Sequence, residues 1–197
     1  MPENSGGEAL TVIARVAALL ERLHVPYAVV GSLASSLHGI PRSTQDADVL
    51  AAIEERHVAP LVASLARDFY VDEERARQAV ADGQSFNVIH LATMFKVDLF
   101  VPAEDRFAAS ELERRERVEL ELSDQRVVEV WFASAEDALL HKLYWYRLGG
   151  ESSDRQWSDV LGVMRVQRGS LDLEYLDRWA RELEVADLLE RARQESH

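Results

Sequence analysis

Between residues 27 and 53 the chain changes character several times, and that succession limits the folds open to it more than any other stretch. An apolar run, Tyr27-Ala28-Val29-Val30, leads directly into Gly31-Ser32. The residues after it read as a short helix, capped by Ser32, with Leu33, Ala34 and Leu37 as its apolar face. His38-Gly39-Ile40-Pro41 ends that helix, because glycine and proline both break the pattern. Asp46 and Asp48 then open a second run that becomes wholly apolar through Ile53, which suits a central strand. Strand, tight turn, helix, loop, strand is the expected order. It sets backbone amides at a helix start and two carboxylates on a neighbouring strand.

The flanking segments extend this pattern. Leu10, Ile13, Val16, Ala17, Leu20 and Leu23 mark one face of a helix over 8–23, which Pro26 prevents from continuing. A helix is expected over 58–67, a short strand at Phe69-Tyr70-Val71, and a helix over 72–81 closed by Asp82-Gly83. Residues 85–91 and 94–100 read as one antiparallel hairpin, with Pro102 ending its second strand, and 118–122 with 126–131 as another. From Ser134 onward the periodicity is helical only, over a segment stopped by Gly149-Gly150 and then over 154–166, 173–183 and 185–193. At 197 residues the chain suits one domain with a small appendage. The shift in composition near residue 132 divides an α/β part, 1–131, from an all-helical part, 132–197.

A net charge of −13 argues against an extended, sequence-independent grip on a nucleic-acid backbone, although a small positive pocket within an acidic shell is compatible with it. With no cysteine there is no disulfide, thiolate ligand or cysteine nucleophile. No apolar run approaches the ~20 residues that span a bilayer. The amino terminus, Met-Pro-Glu-Asn-Ser-Gly-Gly-Glu, is acidic where a secretory signal is basic, so a cytoplasmic location without membrane attachment is expected.

Asp46 and Asp48, two apart on a strand, point to the same face, roughly 7 Å apart along the chain. Two such carboxylates can share one hard cation or bridge two magnesium ions, and a third acid from an adjacent strand is needed to hold the second. Asp98, between Val97 and Leu99 in an apolar strand, supplies it, because an acid there needs a metal or a charge partner. The bland alternative makes all three solvated strand-end acids. On the phosphate side, Gly31 permits close backbone approach and Ser32 offers a hydroxyl and an amide where the helix dipole favours an anion.

Several residues carry two readings each. Arg42 either reaches a triphosphate or is a surface arginine. Lys96 shares a strand face with Asp98 and either serves the site or simply pairs with that acid. Lys142, beside Leu139, Leu140 and Leu143, either supplies a point charge to a phosphate or snorkels to solvent. Asp159 and Arg155, four apart on a helix, read best as a surface ion pair. Tyr144, Trp145, Tyr146 and Trp157 can stack a base, but aromatic residues at helical spacing more often belong to the core. His38 reads as a helix-end packing residue, and the scattered histidines give no zinc pattern.

Gly31-Ser32, then Asp46-Ala47-Asp48 before an apolar run, then Asp98 in a later strand, resemble the polymerase-β-like nucleotidyltransferase superfamily. The segment from Val30 through His38-Gly39, Arg42 and Thr44 to Asp48 looks most like its AbiEii-type branch, which holds toxin and abortive-infection proteins. So do Glu136 to Leu143 and Asp154 to Leu161, where that branch has a helix lysine and an Arg/Lys-x-x-x-Asp segment closing the nucleotide pocket. The resemblance covers about Tyr27 to Met164, with a gap of 13 residues between Ser32 and Asp46 at the long end for the superfamily. It implies a mixed α/β (α+β) sheet flanked by helices and then a small helical part. It also implies magnesium, with two ions expected, and transfer of a nucleoside monophosphate from a triphosphate to a hydroxyl with release of pyrophosphate. Asp46, Asp48 and Asp98 would be the catalytic metal ligands, and Gly31, Ser32, Arg42 and Lys142 the nucleotide-binding residues. The acceptor stays open among a tRNA end, a protein and a small molecule, including a cationic antibiotic. The rival expectation is a partner module of a toxin–antitoxin-like pair, its acidic surface facing an antitoxin or other basic protein.

Overall fold

The computed structural model describes residues 5–102 and 105–196; the acidic residues 1–4 of the amino-terminal reading lie outside them. By compactness the chain forms two units. One holds the described residues up to Val29 together with Ser43–Phe132, and the other holds Val30–Arg42 together with the described residues from Ala133 onward.

In the first unit, helix α1 (Ser5–Arg22) buries Val12, Ile13, Val16 and Leu20, one stripe at helical spacing. His24, at φ 56°, turns the chain toward Pro26, and β1 (Tyr27–Val30) follows with every residue buried. The remaining strands are β2 (Asp46–Ala51), β3 (Phe69–Tyr70), β4 (Ser85–His90), β5 (Lys96–Phe100), β6 (Glu116–Glu121) and β7 (Val127–Phe132). Among the described residues they make one mixed seven-stranded sheet in the order β3-β4-β5-β2-β1-β7-β6. β2 pairs parallel with β5 and β1 with β7, while β4–β5 and β6–β7 are antiparallel hairpins. Of the central strands, β1 is buried throughout and β2 from Val49 to Ala51, where each is an unbroken apolar run. Helices α3 (Glu55–Leu65) and α4 (Glu73–Asp82) flank the sheet. Asp72 caps α4 by accepting from the Arg75 amide, and Gly83, at φ 62°, closes it.

One helix of this unit was not expected: α5 (Arg106–Arg114). Its signal is short. Asp105 accepts hydrogen bonds from the Phe107 and Ala108 amides, and Phe107, Ala108, Glu111 and Leu112 form the buried stripe of a polar, arginine-rich segment.

The second unit is helical: α2 (Gly31–His38), α6 (Ala135–Leu148), α7 (Asp154–Val166), α8 (Leu173–Glu182) and α9 (Ala186–Glu195). α2 packs on α6 and α7, and α8 and α9 complete a core of Ala34, Leu139, Leu140, Leu143, Val160, Val163, Leu176 and Leu189. Ser134 caps α6 by accepting from the Asp137 amide at 3.2 Å. Its hydroxyl donates to the Asp137 carboxylate at 2.6 Å, and Tyr175 donates to the same carboxylate, also at 2.6 Å. That buried acid is therefore fully occupied in holding the start of α6. α2 presents a different face from the expected one: Ala34, Ser35 and His38 are buried, and Leu37 is exposed. The reason is Gly39. A Cβ there would meet the Ser35 carbonyl oxygen and the Val163 amide at 2.8 Å each, so α7 lies against the Ser35–Gly39 side of the helix.

Candidate active site

β2 and β5 pair with Asp46 opposite Lys96 and Asp48 opposite Asp98. Alternate strand residues share a face. Ala47, Val97 and Leu99 are buried on one side, while Asp46, Asp48, Lys96 and Asp98 stand half-buried on the other. Asn87 of β4 lies opposite Asp98 from the far side. Lys96 Nζ stands 2.6 Å from Asp98 Oδ2. That hydrogen bond raises the lysine pKa; partial burial opposes the rise, and the charges of Asp98, Asp46 and Asp48 add to it. Thr44, just before the strand, donates its hydroxyl to Asp46 Oδ1 at 2.9 Å, which orients the first acid.

Three carboxylates on one sheet face are the hard oxygen donors that a magnesium-like cation takes, and the Lys96 ammonium is a positive charge already held among them. The donor set fits a divalent cation. Among the described residues no group of three or more His, Cys, Asp or Glu side chains stands arranged to hold a metal ion. Asp98 is turned to Lys96.

The other expected site residues lie in the helical unit. Gly31 opens α2 at φ 62°, a conformation that costs a residue with a Cβ roughly 1–2 kcal/mol. Ser32 does not cap the helix: Val30 holds the cap position and no side chain caps it. The Ser32 hydroxyl is used otherwise, accepting from Arg42 Nη2 at 2.7 Å and from Lys142 Nζ at 3.2 Å. Both cations also bind Asp159. Arg42 Nε and Nη2 fork onto its two oxygens at 2.8 and 2.9 Å, and Lys142 Nζ reaches Oδ2 at 2.9 Å. The side chains of Lys142 and Asp159 are only 8% and 7% exposed. Burial pushes the Asp159 carboxyl up, but the hydrogen bonds and charges of Arg42 and Lys142 outweigh it and hold the pKa below the usual carboxylate range.

This arrangement narrows several of the open readings. Lys142 is buried in an ion-paired cluster and does not snorkel. Arg42 is fixed by the same cluster, its side chain 25% exposed. Asp159 pairs with these two and not with Arg155, which is exposed one turn earlier. The expected helix-surface pair is therefore wrong, because α7 turns Asp159 inward beside buried Val160 and Val163. His38 is a packing residue, buried, with Nε2 2.8 Å from the Ala133 carbonyl. Tyr146 and Trp157 are core, their ring centroids 5.2 Å apart, while Tyr144 and Trp145 are exposed on α6. Thr44 and Asp159 carry no assigned role in the sequence, although both fall in the segments that resemble the AbiEii-type branch. The signal for Thr44 was a hydroxyl two residues before the first acid. Asp159 stands in the Arg/Lys-x-x-x-Asp segment of the resemblance, but its partners lie 117 and 17 residues away, so local spacing pairs it with Arg155 instead.

The sequence of residues 8–196 matches the family described as "Nucleotidyltransferase of unknown function" (DUF6036). The chain belongs to this family. No curated protein matches it. Among solved structures, the chain is similar to an antigenic nucleotidyltransferase-like protein from Paracoccidioides brasiliensis, with a TM-score of 0.54 and 19% identity, covering 96% of this chain and 94% of that one. It is also similar to the antibiotic-resistance factor ANT(2'')-Ia in solution, with a TM-score of 0.54 and 14% identity over 95% and 97% of the two chains. ANT(2'')-Ia in complex with adenylyl-2''-tobramycin gives a TM-score of 0.53 at 13% identity over 89% and 96%. At these identities the likeness is one of fold, and the fold is that of nucleotidyltransferases. No helix among the described residues is long and apolar enough to cross a membrane.

Proposed function

We propose that the protein is a magnesium-dependent nucleotidyltransferase that moves a nucleoside monophosphate from a triphosphate to a hydroxyl acceptor. The observation that carries the reading is the register of β2 and β5, which sets Asp46, Asp48 and Asp98 on one face with Lys96. In this reading Asp46, Asp48 and Asp98 hold magnesium, in two ions, and Gly31, Ser32, Arg42 and Lys142 hold the triphosphate. Magnesium supplies Lewis-acid polarisation of the phosphate and lowers the pKa of the attacking hydroxyl.

The chain's own residues do the rest. Asp98 accepts the proton of the acceptor hydroxyl. The hydroxyl oxygen bonds to the α-phosphorus, the α–β phosphoanhydride bond breaks, and pyrophosphate leaves with the bridging oxygen. Arg42 and Lys142 meet the charge that gathers on the leaving group, and residues 132–197 serve the nucleotide site through Lys142. Rate enhancement in such a transfer comes from positioning and electrostatics. Within the superfamily we assign the chain to the AbiEii-type branch on Gly31-Ser32, Asp46-Ala47-Asp48 and the Lys142 helix.

Pyrophosphate release tests the assignment. Asp46→Asn is expected to abolish magnesium-dependent release while leaving the melting temperature unchanged. Full activity in that variant would remove the carboxylates from the mechanism. Calorimetry with each triphosphate, with and without magnesium, separates the enzyme from a partner module of a toxin–antitoxin-like pair, for which no triphosphate would bind.

A further inference from the structure

The charged face of β2 and β5 carries a cation of its own. We propose that Lys96 is the resting counter-ion of the metal site, holding Asp98 until a divalent cation displaces its ammonium. The inference rests on the reading of Asp46, Asp48 and Asp98 as metal ligands and names how that site is regulated.

Register puts Lys96 directly opposite Asp46 and two residues before Asp98 on the same strand, so its stem rises from the same sheet face as all three acids. Nζ is 2.6 Å from Asp98 Oδ2, the distance of a direct charge-assisted hydrogen bond. Three carboxylates lie within electrostatic reach of this ammonium, and each favours its charged form. A divalent ion binding the same oxygen must stand at about 2.0–2.6 Å from it, and there it competes with the ammonium for that oxygen's lone pairs. Like charge pushes the two apart as well.

The lysine has somewhere to go. Its side chain is 39% exposed against 20% for Asp98, and a flexible four-carbon stem carries the ammonium into water while the acid stays on its strand. Lys96 therefore does two things by one contact. It neutralises a carboxylate cluster that would otherwise repel itself in the metal-free protein, and it sets the metal affinity below that of three bare acids.

The test is binding of Mn2+ alone to the full chain, without nucleotide, by calorimetry and by thermal unfolding. Wild type is compared with Lys96→Met, Lys96→Gln and the charge-keeping Lys96→Arg. The neutral variants should bind Mn2+ roughly tenfold more tightly, the effect expected of removing a partly exposed ion-pair competitor, and Lys96→Arg should stay near wild type. Their metal-free melting temperatures should fall, and Mn2+ should raise them by more than it raises wild type. A lysine with a structural role alone would lower the melting temperature equally with and without Mn2+, and that result overturns the proposal. So does equal or weaker Mn2+ binding in the neutral variants. A flat titration of folded wild type and variants alike would instead remove the metal reading beneath it, and the inference with it.

Discussion

Asp159→Ala is the most informative single change in the helical unit. It deletes a carboxylate that is 7% exposed and accepts charge-assisted hydrogen bonds from Arg42 at 2.8 and 2.9 Å and from Lys142 at 2.9 Å. Removing one member of a buried ion pair costs about 3–5 kcal/mol, because the partner's charge stays behind without compensation. Here two partners remain, Lys142 nearly buried and Arg42 with its side chain 25% exposed. Arg42 can turn to water, which sets the expected loss near the low end, about 3 kcal/mol. For a chain of this length each kcal/mol lowers the midpoint by roughly 2–4 °C, so a fall of about 6–12 °C is expected. Lys142→Met is the contrast. It removes a cation but leaves Asp159 in the Arg42 fork, and should cost only about 1 kcal/mol. In the double variant the two losses should fall short of additivity by about 1 kcal/mol. Thermal and urea unfolding followed by circular dichroism measure all three. A loss under about 1 kcal/mol for Asp159→Ala, or equal losses for the two single variants, would refute the clustered-charge account.

Two further outcomes follow from the same unit. Because Arg42 and Lys142 hold the Asp159 pKa below its unfolded value, the stability it contributes is present above ~3.9 and is lost as pH falls through the lower folded value. Wild type should therefore lose more stability on acidification than Asp159→Asn, and parallel acid-unfolding curves would contradict this. Gly39→Ala should destabilise by roughly 1–3 kcal/mol, since its Cβ would press on two backbone atoms at 2.8 Å. Gly150→Ala, with open space around it but φ at 68°, should cost only about 1 kcal/mol, and the opposite ranking in urea unfolding would overturn the steric explanation.

Local chemistry made the strands legible in the sequence. Tyr27 to Val30 and Val49 to Ala51 are unbroken apolar runs, and Ser85 to His90 alternates, so their burial is written residue by residue. The face shared by Asp46, Asp48 and Asp98 was legible for the same reason, since alternation along each strand fixes it. What escaped depended on pairing across long stretches of chain. α5 escaped because its buried stripe is short and embedded among arginines. The face of α2 was misread because Leu37 looks more apolar than Ser35, while close approach at Gly39 overrides hydrophobicity. Asp159 was given to Arg155, its neighbour in sequence, because the Arg42 fork is visible only once α7 is placed beside α2 within the helical unit. Sequence spacing records which side chains share an element. It does not record which elements share a charge.

The central claim is nucleotidyl transfer, and the most direct measurement follows the transferred group itself. The protein, magnesium and a nucleoside triphosphate labelled at the α-phosphate are incubated with a cell extract, each common triphosphate in turn. Label should move into an acceptor fraction with matching release of pyrophosphate, and neither should occur with Asp46→Asn. Folded wild-type protein that labels no fraction with any triphosphate, or an Asp46→Asn variant that labels as strongly as wild type, would contradict the account.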